Sequence, residues 1–184
     1  ISFNSGKAKI TARTNTTVVV CTITTAFTNT DAKDDWKLGA FSDTTGHPSC
    51  VSFFEQRLVF AGTTDEPQTI FFSKSGDYEN MTTGTNADDA MVYTIASNQV
   101  NKIRYLKAVR TLLIGTTGGE FSVSADGTDA AVTPTNIQIR RQSSFGAANV
   151  DAQPAGNAVL FLQRAKRKIR ELAYNYDTDG YVAP

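Results

Sequence analysis

The sequence repeats one arrangement three times: a short apolar strand, a Gly-rich or polar turn, and a second strand closed by an Asp or Gly turn. The copies are RLVFAGT with IFFSKSGD (57–63, 70–77), TLLIGT with EFSVSADG (111–116, 120–127) and AVLFL with IRELAYNYD (158–162, 169–177). In the numbering, Gly62 and Gly115 lie 53 positions apart, and Asp126 and Asp177 lie 51 apart. A period of roughly 40–50 residues that holds several strands is typical of a β-propeller blade or a similar stacked unit. One such unit cannot bury its own apolar face, so we expect the units to pack on one another.

These repeats predict an all-β fold, a partial β-propeller-like array of antiparallel sheets preceded by a small β-hairpin module. The module is assigned to residues 1–46, where two β-rich segments at 7–13 and 17–23 predict the hairpin. Residues 47–184 are predicted to hold about three blade-like units. Closed propellers usually need about 4–8 blades, so we expect the chain to be a portion of a longer polypeptide or to be completed by neighbouring subunits.

The last unit is ambiguous, because residues 162–176 also fit helical spacing and contain many helix-forming residues. We prefer a strand–turn–strand, since the repeat predicts it. Apolar residues of the predicted strands should form the core. The predicted core anchors are Val51, Phe53, Leu58, Phe60, Ile70, Phe72, Leu113, Phe121, Val123, Leu160 and Phe161.

The amino-acid composition limits which partners and environments can be expected for the chain. Lys+Arg and Asp+Glu are both 18, so the balanced charge gives no general argument for nucleic acid or membrane as the main partner. No apolar run approaches the ~20 residues that span a bilayer. Cys21 and Cys50 are too few for a disulfide scaffold, and we expect two reduced, buried thiols rather than a bridge.

Several stretches together resemble a family of bacteriophage tail proteins. They are WKLGAFS (36–42), GHP (46–48), FFEQRLVFAGT (53–63), PQT (67–69), SKSGDY (73–78), LLIGT (112–116), RQS (141–143) and RELAY (170–174). Across nearly the whole chain, the sequence resembles tail tubular protein B, also called tail nozzle or stabilisation protein, of short-tailed phages. The family-motif positions are Trp36, Pro48, Arg57, Gly62, Gln68, Ser75, Gly76 and Asp77. His47 and Phe71 depart from the family, which usually has tyrosine and tryptophan there, but both keep a ring.

The resemblance implies a structural virion protein, a subunit of a tail tube or nozzle that forms the wall of the genome-ejection channel. The implied partners are copies of itself in a ring, typically six, the adjacent tail adaptor or tube protein, tail fibres, and DNA in transit. The protein would be made in the host bacterial cytoplasm and reside in the phage tail, and this segment would not insert into a membrane.

Residues suited to catalysis are few, and we expect no enzyme. His47, the single histidine, and Cys50 flank Pro48 without an adjacent orienting carboxylate, which argues against a catalytic dyad. Together with Cys21 they are too few to ligate zinc. The acidic pairs at 34–35, 65–66, 88–89 and 177–179 fall in predicted turns, where Asp favours bonds to the local backbone. We therefore predict no catalytic, cofactor-binding or metal residues.

Two surface features leave alternatives open. The first is a basic cluster: Arg164, Lys166, Arg167, Lys168 and Arg170. It could contact DNA phosphates, contact another subunit, or form a solvated turn. We favour the solvated turn or the subunit contact over DNA. Trp36 and Phe41 would suit a sugar platform in a carbohydrate- or receptor-binding β module of a phage tail, the alternative function. Otherwise they pack the first module against the repeats. A polysaccharide-hydrolysing enzyme is the third and least favoured hypothesis.

Overall fold

A computed structural model describes residues 2–3, 6–32, 34, 39, 41–96, 100–127, 130–177 and 180–183. Within these ranges the chain forms β-strands and no helix. The strands are β1 Ser2–Phe3, β2 Gly6–Arg13, β3 Val19–Thr25, β4 Cys50–Phe54, β5 Arg57–Ala61, β6 Thr69–Phe72, β7 Met91–Thr94, β8 Ile103–Ala108, β9 Leu112–Thr116, β10 Gly119–Ser124, β11 Gln138–Ser143, β12 Gln153–Ala155, β13 Ala158–Leu162, β14 Ile169–Asn175 and β15 Gly180–Val182. The predicted all-β class is confirmed.

The chain divides into two compact units, Ile1–Thr45 and Gly46–Pro184, one residue before the predicted boundary. The first unit holds an antiparallel sheet of order β1-β2-β3, and its predicted hairpin is formed by β2 and β3. The N–H groups of Thr14 and Asn15 donate to the carbonyl of Val18 and close the turn. Most side chains of β2 and β3 are exposed, so this ribbon buries little apolar surface.

The second unit consists of three four-stranded antiparallel sheets, each formed by four consecutive strands. We name them the first sheet (β4–β7), the middle sheet (β8–β11) and the third sheet (β12–β15). The sequence repeat corresponds to the second and third strands of each sheet. Asp77, Asp126 and Asp177 accordingly follow β6, β10 and β14. This arrangement is consistent with blade-like units.

Two hydrophobic cores lie on opposite faces of the middle sheet. The first core joins it to the first sheet, and the second core joins it to the third sheet. Strand β9 contributes to both, because successive side chains of a strand point to opposite faces. Leu112 and Ile114 lie in the first core and Leu113 in the second. Every residue of β9 is therefore buried.

The ambiguous last unit is a strand–turn–strand, as predicted. Strand β14 pairs with β13 from Leu162 opposite Ile169 to Ala158 opposite Ala173. One strand of this unit, β12, was not predicted. Strand β12 has only three residues and contains Pro154, which is tolerated because β12 is an edge strand.

The core prediction is correct for one group of residues and wrong for another. Buried as predicted are Ile70, Phe72, Leu113, Phe121, Val123 and Phe161. Val51 and Phe53 are each 59% exposed and Leu160 is 36% exposed, while Leu58 and Phe60 are only half-buried. The buried positions of β4 and β5 are Cys50, Phe54, Arg57, Val59 and Ala61. A shift of one residue exchanges the two faces of a strand, and here both faces are largely apolar, so the pattern could not choose between them.

Candidate functional site

Arg57, one of the predicted motif residues, holds one end of the first sheet together. Arg57 begins β5 and is only 3% exposed. Its guanidinium donates to the carbonyl oxygens of Ser73 at 2.8 Å, Ala87 at 2.6 Å and Asp89 at 2.7 Å. Burial lowers the pKa of this guanidinium, and nearby carboxylates oppose that shift. Arg57 therefore connects β5 to β6 and to the loop before β7, as a structural tie.

Other motif residues converge on the same end. The N–H of Gly76 donates to the carbonyl of Gln56 at 2.9 Å, and the N–H of Ser75 donates to the carbonyl of Asp88 at 2.9 Å. Gly76 has φ +72°, a conformation that L side chains rarely adopt. Asp77 belongs to the same turn. Motif residues that are separated in sequence thus hold one turn system together.

The acidic pair at positions 88 and 89 belongs to this turn system. The ammonium of Lys74 lies 2.7 Å from a carboxylate oxygen of Asp88 and 3.6 Å from one of Asp89. The hydrogen bond between Lys74 and Asp88 raises the pKa of Lys74 and lowers the pKa of Asp88. As predicted, this pair lies in a surface turn and makes a local backbone bond, since Asp89 accepts from the N–H of Asn86 at 3.0 Å. The ion pairs with Lys74 add to that prediction.

The opposite end of the first sheet holds two further motif residues. Gly62 has φ +72°, and a Cβ there would lie 2.7 Å from the Ser49 hydroxyl oxygen and 3.0 Å from the Ile103 carbonyl oxygen. Only glycine fits so close an approach to β8 without strain. The Gln68 side-chain amide donates to the carbonyl of Ile95 at 3.0 Å. Both residues lie where the first sheet approaches the middle sheet.

The remaining predicted residues of this region are not brought into one site. Pro48 is half-buried, and His47 is exposed. Phe41 is half-buried in the first unit, whereas Trp36 lies outside the described residues. The sugar platform predicted on Trp36 and Phe41 therefore stays a prediction.

The predicted basic cluster lies at the turn between β13 and β14, and two of its members are held by neighbouring groups. Arg164 donates to the carbonyl of Thr117 at 3.1 Å. Arg170 lies over the ring of Phe145, at 3.5 Å from its centroid, and donates to the side-chain oxygen of Gln163 at 3.3 Å. These two arginines attach the turn to the middle sheet and to the loop that follows β11.

The other three cations form the exposed tip of the turn, which we name the basic turn: Lys166, Arg167 and Lys168. Lys166 has φ 57°, and its N–H donates to the carbonyl of Gln163 at 2.7 Å. No carboxylate among the described residues forms an ion pair with these three side chains. The basic turn is therefore available to an anionic surface.

The buried cysteine of the second unit is not activated as a nucleophile. Cys50 is buried, and burial raises the pKa of its thiol more than the hydrogen bond with Ser49 lowers it, so the thiol is protonated at neutral pH. Cys21 is only half-buried, which corrects the prediction for that thiol, and both cysteines are unbridged. In the described part of the chain, no group of three or more His, Cys, Asp or Glu residues could hold a metal ion.

Glu120 is a buried acid that was not predicted from the sequence. Glu120 and Tyr105 are fully buried, and Tyr105 belongs to the second core. One Glu120 carboxylate oxygen accepts from the Ser143 hydroxyl, whereas the other oxygen and the Tyr105 hydroxyl have no partner in the described structure. Burial raises the pKa of Glu120, and hydrogen bonds to the carboxylate partly oppose that shift. Burial and the nearby Glu120 charge also raise the pKa of Tyr105.

A weak signal for Glu120 was present in the sequence. Glu120 precedes Phe121 and Val123 in an alternating pattern, so its side chain lies on the face of β10 opposite to theirs. A charged residue on that face would ordinarily be assigned to solvent. Only the third sheet, packed on that face, makes the position internal, and the sequence pattern does not show that packing.

Comparison with known proteins does not test the resemblance to phage tail proteins, which stays a prediction. No protein-family model matches the chain, and no curated protein matches it. Among the described residues, no helix has the length and apolar character needed to cross a bilayer.

Proposed function

We propose that this chain is a structural subunit of the tail of a short-tailed bacteriophage, where it forms part of the wall of the tube or nozzle through which the genome leaves. In this proposal the protein works mechanically and not as a catalyst. Its partners are copies of itself in a ring, the neighbouring tail proteins and, transiently, DNA. It would be made in the bacterial cytoplasm and function in the virion.

The observation that carries this proposal is the stacking of the three sheets. The middle sheet has an apolar core on each face, so it cannot move independently of its neighbours. Exposed apolar side chains also lie on the two outer faces of the stack. They are Val51, Phe53 and Val92 on the first sheet, and Leu160, Ile169 and Val182 on the third. A stack of this kind supports continuation of the wall by further sheets.

The roles of the motif residues agree with a wall protein. Arg57, Gly62, Gln68 and Gly76 connect strands and turns to one another. Such residues maintain a fixed shape. The basic turn offers an exposed cationic contact for a neighbouring acidic subunit or for DNA phosphate.

Location is the direct test of the proposal. Purified phage particles that encode this polypeptide should be labelled with an antibody against it and imaged by electron microscopy. We expect the label at the tail and at no other part of the particle. Particles that contain no copy of the polypeptide, or that carry the label only on the head, would contradict the proposal.

Assembly is a second, independent test. We expect sedimentation velocity to show association of the chain that weakens when Phe53→Asp or Ile169→Asp places a charge on an outer face. Thr64→Asp is the matched control, because Thr64 is exposed in a turn and away from both cores. If all three variants associate like the parent chain, the outer faces are not the contacts.

A further inference from the structure

A polar cavity of about 670 Å³ lies in the second unit, beside the faces that the sheets use to stack. Its wall comes from β10, β11, the turn before β9, and the third sheet near β14 and β15, with the turn after β4 at one side. A volume of several hundred Å³ is usual for a small-molecule site. The cavity belongs neither to the motif turns nor to the basic turn, so none of the roles described above accounts for it.

One wall of the cavity carries ordered polar side chains. On adjacent strands, Ser122 pairs with Arg140 and Ser124 pairs with Gln138, so these four side chains share one face of the middle sheet. Gln142 is fixed at both ends of its side-chain amide. Its nitrogen donates to the Ser122 hydroxyl at 2.7 Å, and its oxygen accepts from the N–H of Tyr181 at 2.7 Å.

Another part of the lining is aromatic and cationic. The Arg110 guanidinium lies 5.2 Å from the centroid of the Tyr174 ring, and that ring packs edge-on against Tyr181 at 5.5 Å. The Thr111 hydroxyl donates to the Tyr181 hydroxyl at 3.2 Å. These contacts place the second guanidinium of the cavity on a rigid support. Neither Arg110 nor Arg140 forms an ion pair with a described carboxylate.

The cavity also contains two acids, and they limit the charge of a ligand. Asp126 and Glu55 lie in the lining, and one oxygen of Glu55 accepts from the N–H of Val132 at 2.7 Å. Among the described lining residues two cations and two anions balance, so we expect a multiply charged anion such as phosphate to bind less well. A ligand with one carboxylate and many hydroxyls suits this set. Guanidinium binds carboxylate, and the serines, glutamines and acids accept from or donate to hydroxyls.

We propose that this cavity binds an acidic saccharide, with the sugar carboxylate between Arg110 and Arg140 and its hydroxyls on Ser124, Gln138 and Asp126. The part of the Tyr174 ring that lines the cavity supplies the apolar surface that sugar C–H groups pack against. The site is distinct from the Trp36 and Phe41 platform that the sequence indicated. The inference does not depend on the proposed tail function, because it rests on the cavity alone.

The probes for the test are a tetramer of three galactose units and one galacturonic acid, the same tetramer with its single carboxylate methyl-esterified, and inorganic phosphate. Isothermal titration calorimetry at low ionic strength gives each Kd for the parent chain. We expect the acid tetramer to bind at least about 10-fold more tightly than its ester, since a charged hydrogen bond is lost in the ester. Equal binding of acid and ester, or no binding of the acid at millimolar concentration, would overturn the proposal, as would phosphate binding as tight as that of the acid tetramer.

Two variants locate the site. Arg140→Gln and Gln138→Ala are expected to weaken acid-tetramer binding, the first by about 10-fold or more. Arg167→Gln is the control, because it removes the same charge from the exposed basic turn outside the cavity. Thermal melting checks that each variant folds. An equal loss in Arg140→Gln and Arg167→Gln would show general charge attraction and would sink the cavity assignment.

Discussion

The first and middle sheets have the same four-stranded topology but are stabilised in different ways. The middle sheet is covered on both faces by apolar cores, so its second strand is buried along its whole length. The first sheet has one core, and on its other face Val51 and Phe53 are more than half exposed. The turns at one end of the first sheet are held by Arg57, which donates hydrogen bonds to several backbone carbonyls.

The position of a sheet in the stack, and not the sequence of its strands, therefore sets the source of its stability. A sheet with two neighbours gains free energy from area removed from water, about 25 cal/mol per Å² of apolar surface. A sheet with one neighbour gains less free energy from burial. Hydrogen bonds from polar side chains then contribute a larger share of the stability of its turns. The following predictions separate these two contributions.

The largest effect is expected in the middle sheet. Leu113 is fully buried in the second core, and Leu113→Ala leaves a cavity that its β-sheet neighbours cannot fill. We expect the free energy of unfolding in urea to fall by about 2–5 kcal/mol. Val51→Ala is the matched control in the first sheet. A loss below ~1 kcal/mol for Leu113→Ala would mean that the second core is not packed as described.

The next largest effect is expected at the polar tie. Arg57→Met keeps much of the side-chain volume but removes the donors to Ser73, Ala87 and Asp89. We expect a loss of about 2–3 kcal/mol, since hydrogen bonds from charged groups are worth more than neutral ones but the loop can recover some by hydration. Amide hydrogen exchange should accelerate first in the turns at 73–77 and 86–90. Uniform acceleration throughout the second unit would contradict a local tie, and Arg167→Met should change neither measurement.

Glu120, the buried acid of the middle sheet, should make the free energy of unfolding depend on pH. The pKa of Glu120 is raised in the folded state, mainly by burial, above its unfolded value near 4.5. Its stabilising contribution is therefore complete below about pH 4.5 and is lost as pH rises through the folded-state pKa. Glu120→Gln cannot ionise, so we expect this variant to become more stable relative to the parent chain as pH rises. The difference should grow by about 1.4 kcal/mol for each unit by which the folded pKa is raised.

Chemical denaturation of both chains from pH 4 to pH 8 measures this difference. Ser144→Ala, next to the Ser143 that binds Glu120, is a control without an ionisable group. A constant gap between Glu120→Gln and the parent chain across this range would mean that Glu120 has an ordinary pKa in the folded protein.

The contrast between the sheets also explains which parts of the structure were predictable. Strand positions followed from local sequence, because the repeat of apolar strands and Gly or Asp turns is itself a local signal. The strand β14 was chosen over a helix on that basis and is correct. Burial was less predictable. The runs at 19–23 and 112–116 are both apolar-rich strands, yet the first is mostly exposed and the second fully buried.

The candidate sites were predictable only in part for the same reason. The sequence identified Arg57, Gly76 and Asp77 as motif residues, but their convergence on one turn system depends on strand pairing. Glu120 and the cavity around Arg140 depend on which sheet packs against the middle sheet. Those contacts join residues distant in sequence, and no local pattern encodes them.

The smallest stability effect is expected on the outer face of the first sheet. Phe53 is 59% exposed and contacts Tyr78 edge-on at 5.3 Å between ring centroids, so Phe53→Ser should cost less than about 1 kcal/mol in urea unfolding. Phe72→Ser, buried in the first core of the same sheet, is the comparison and should cost several times more. Because an exposed apolar face gains its burial only on contact with another surface, Phe53→Ser should weaken self-association more than it weakens folding. A large loss of folding stability with unchanged association would reverse the assignment of faces in the first sheet.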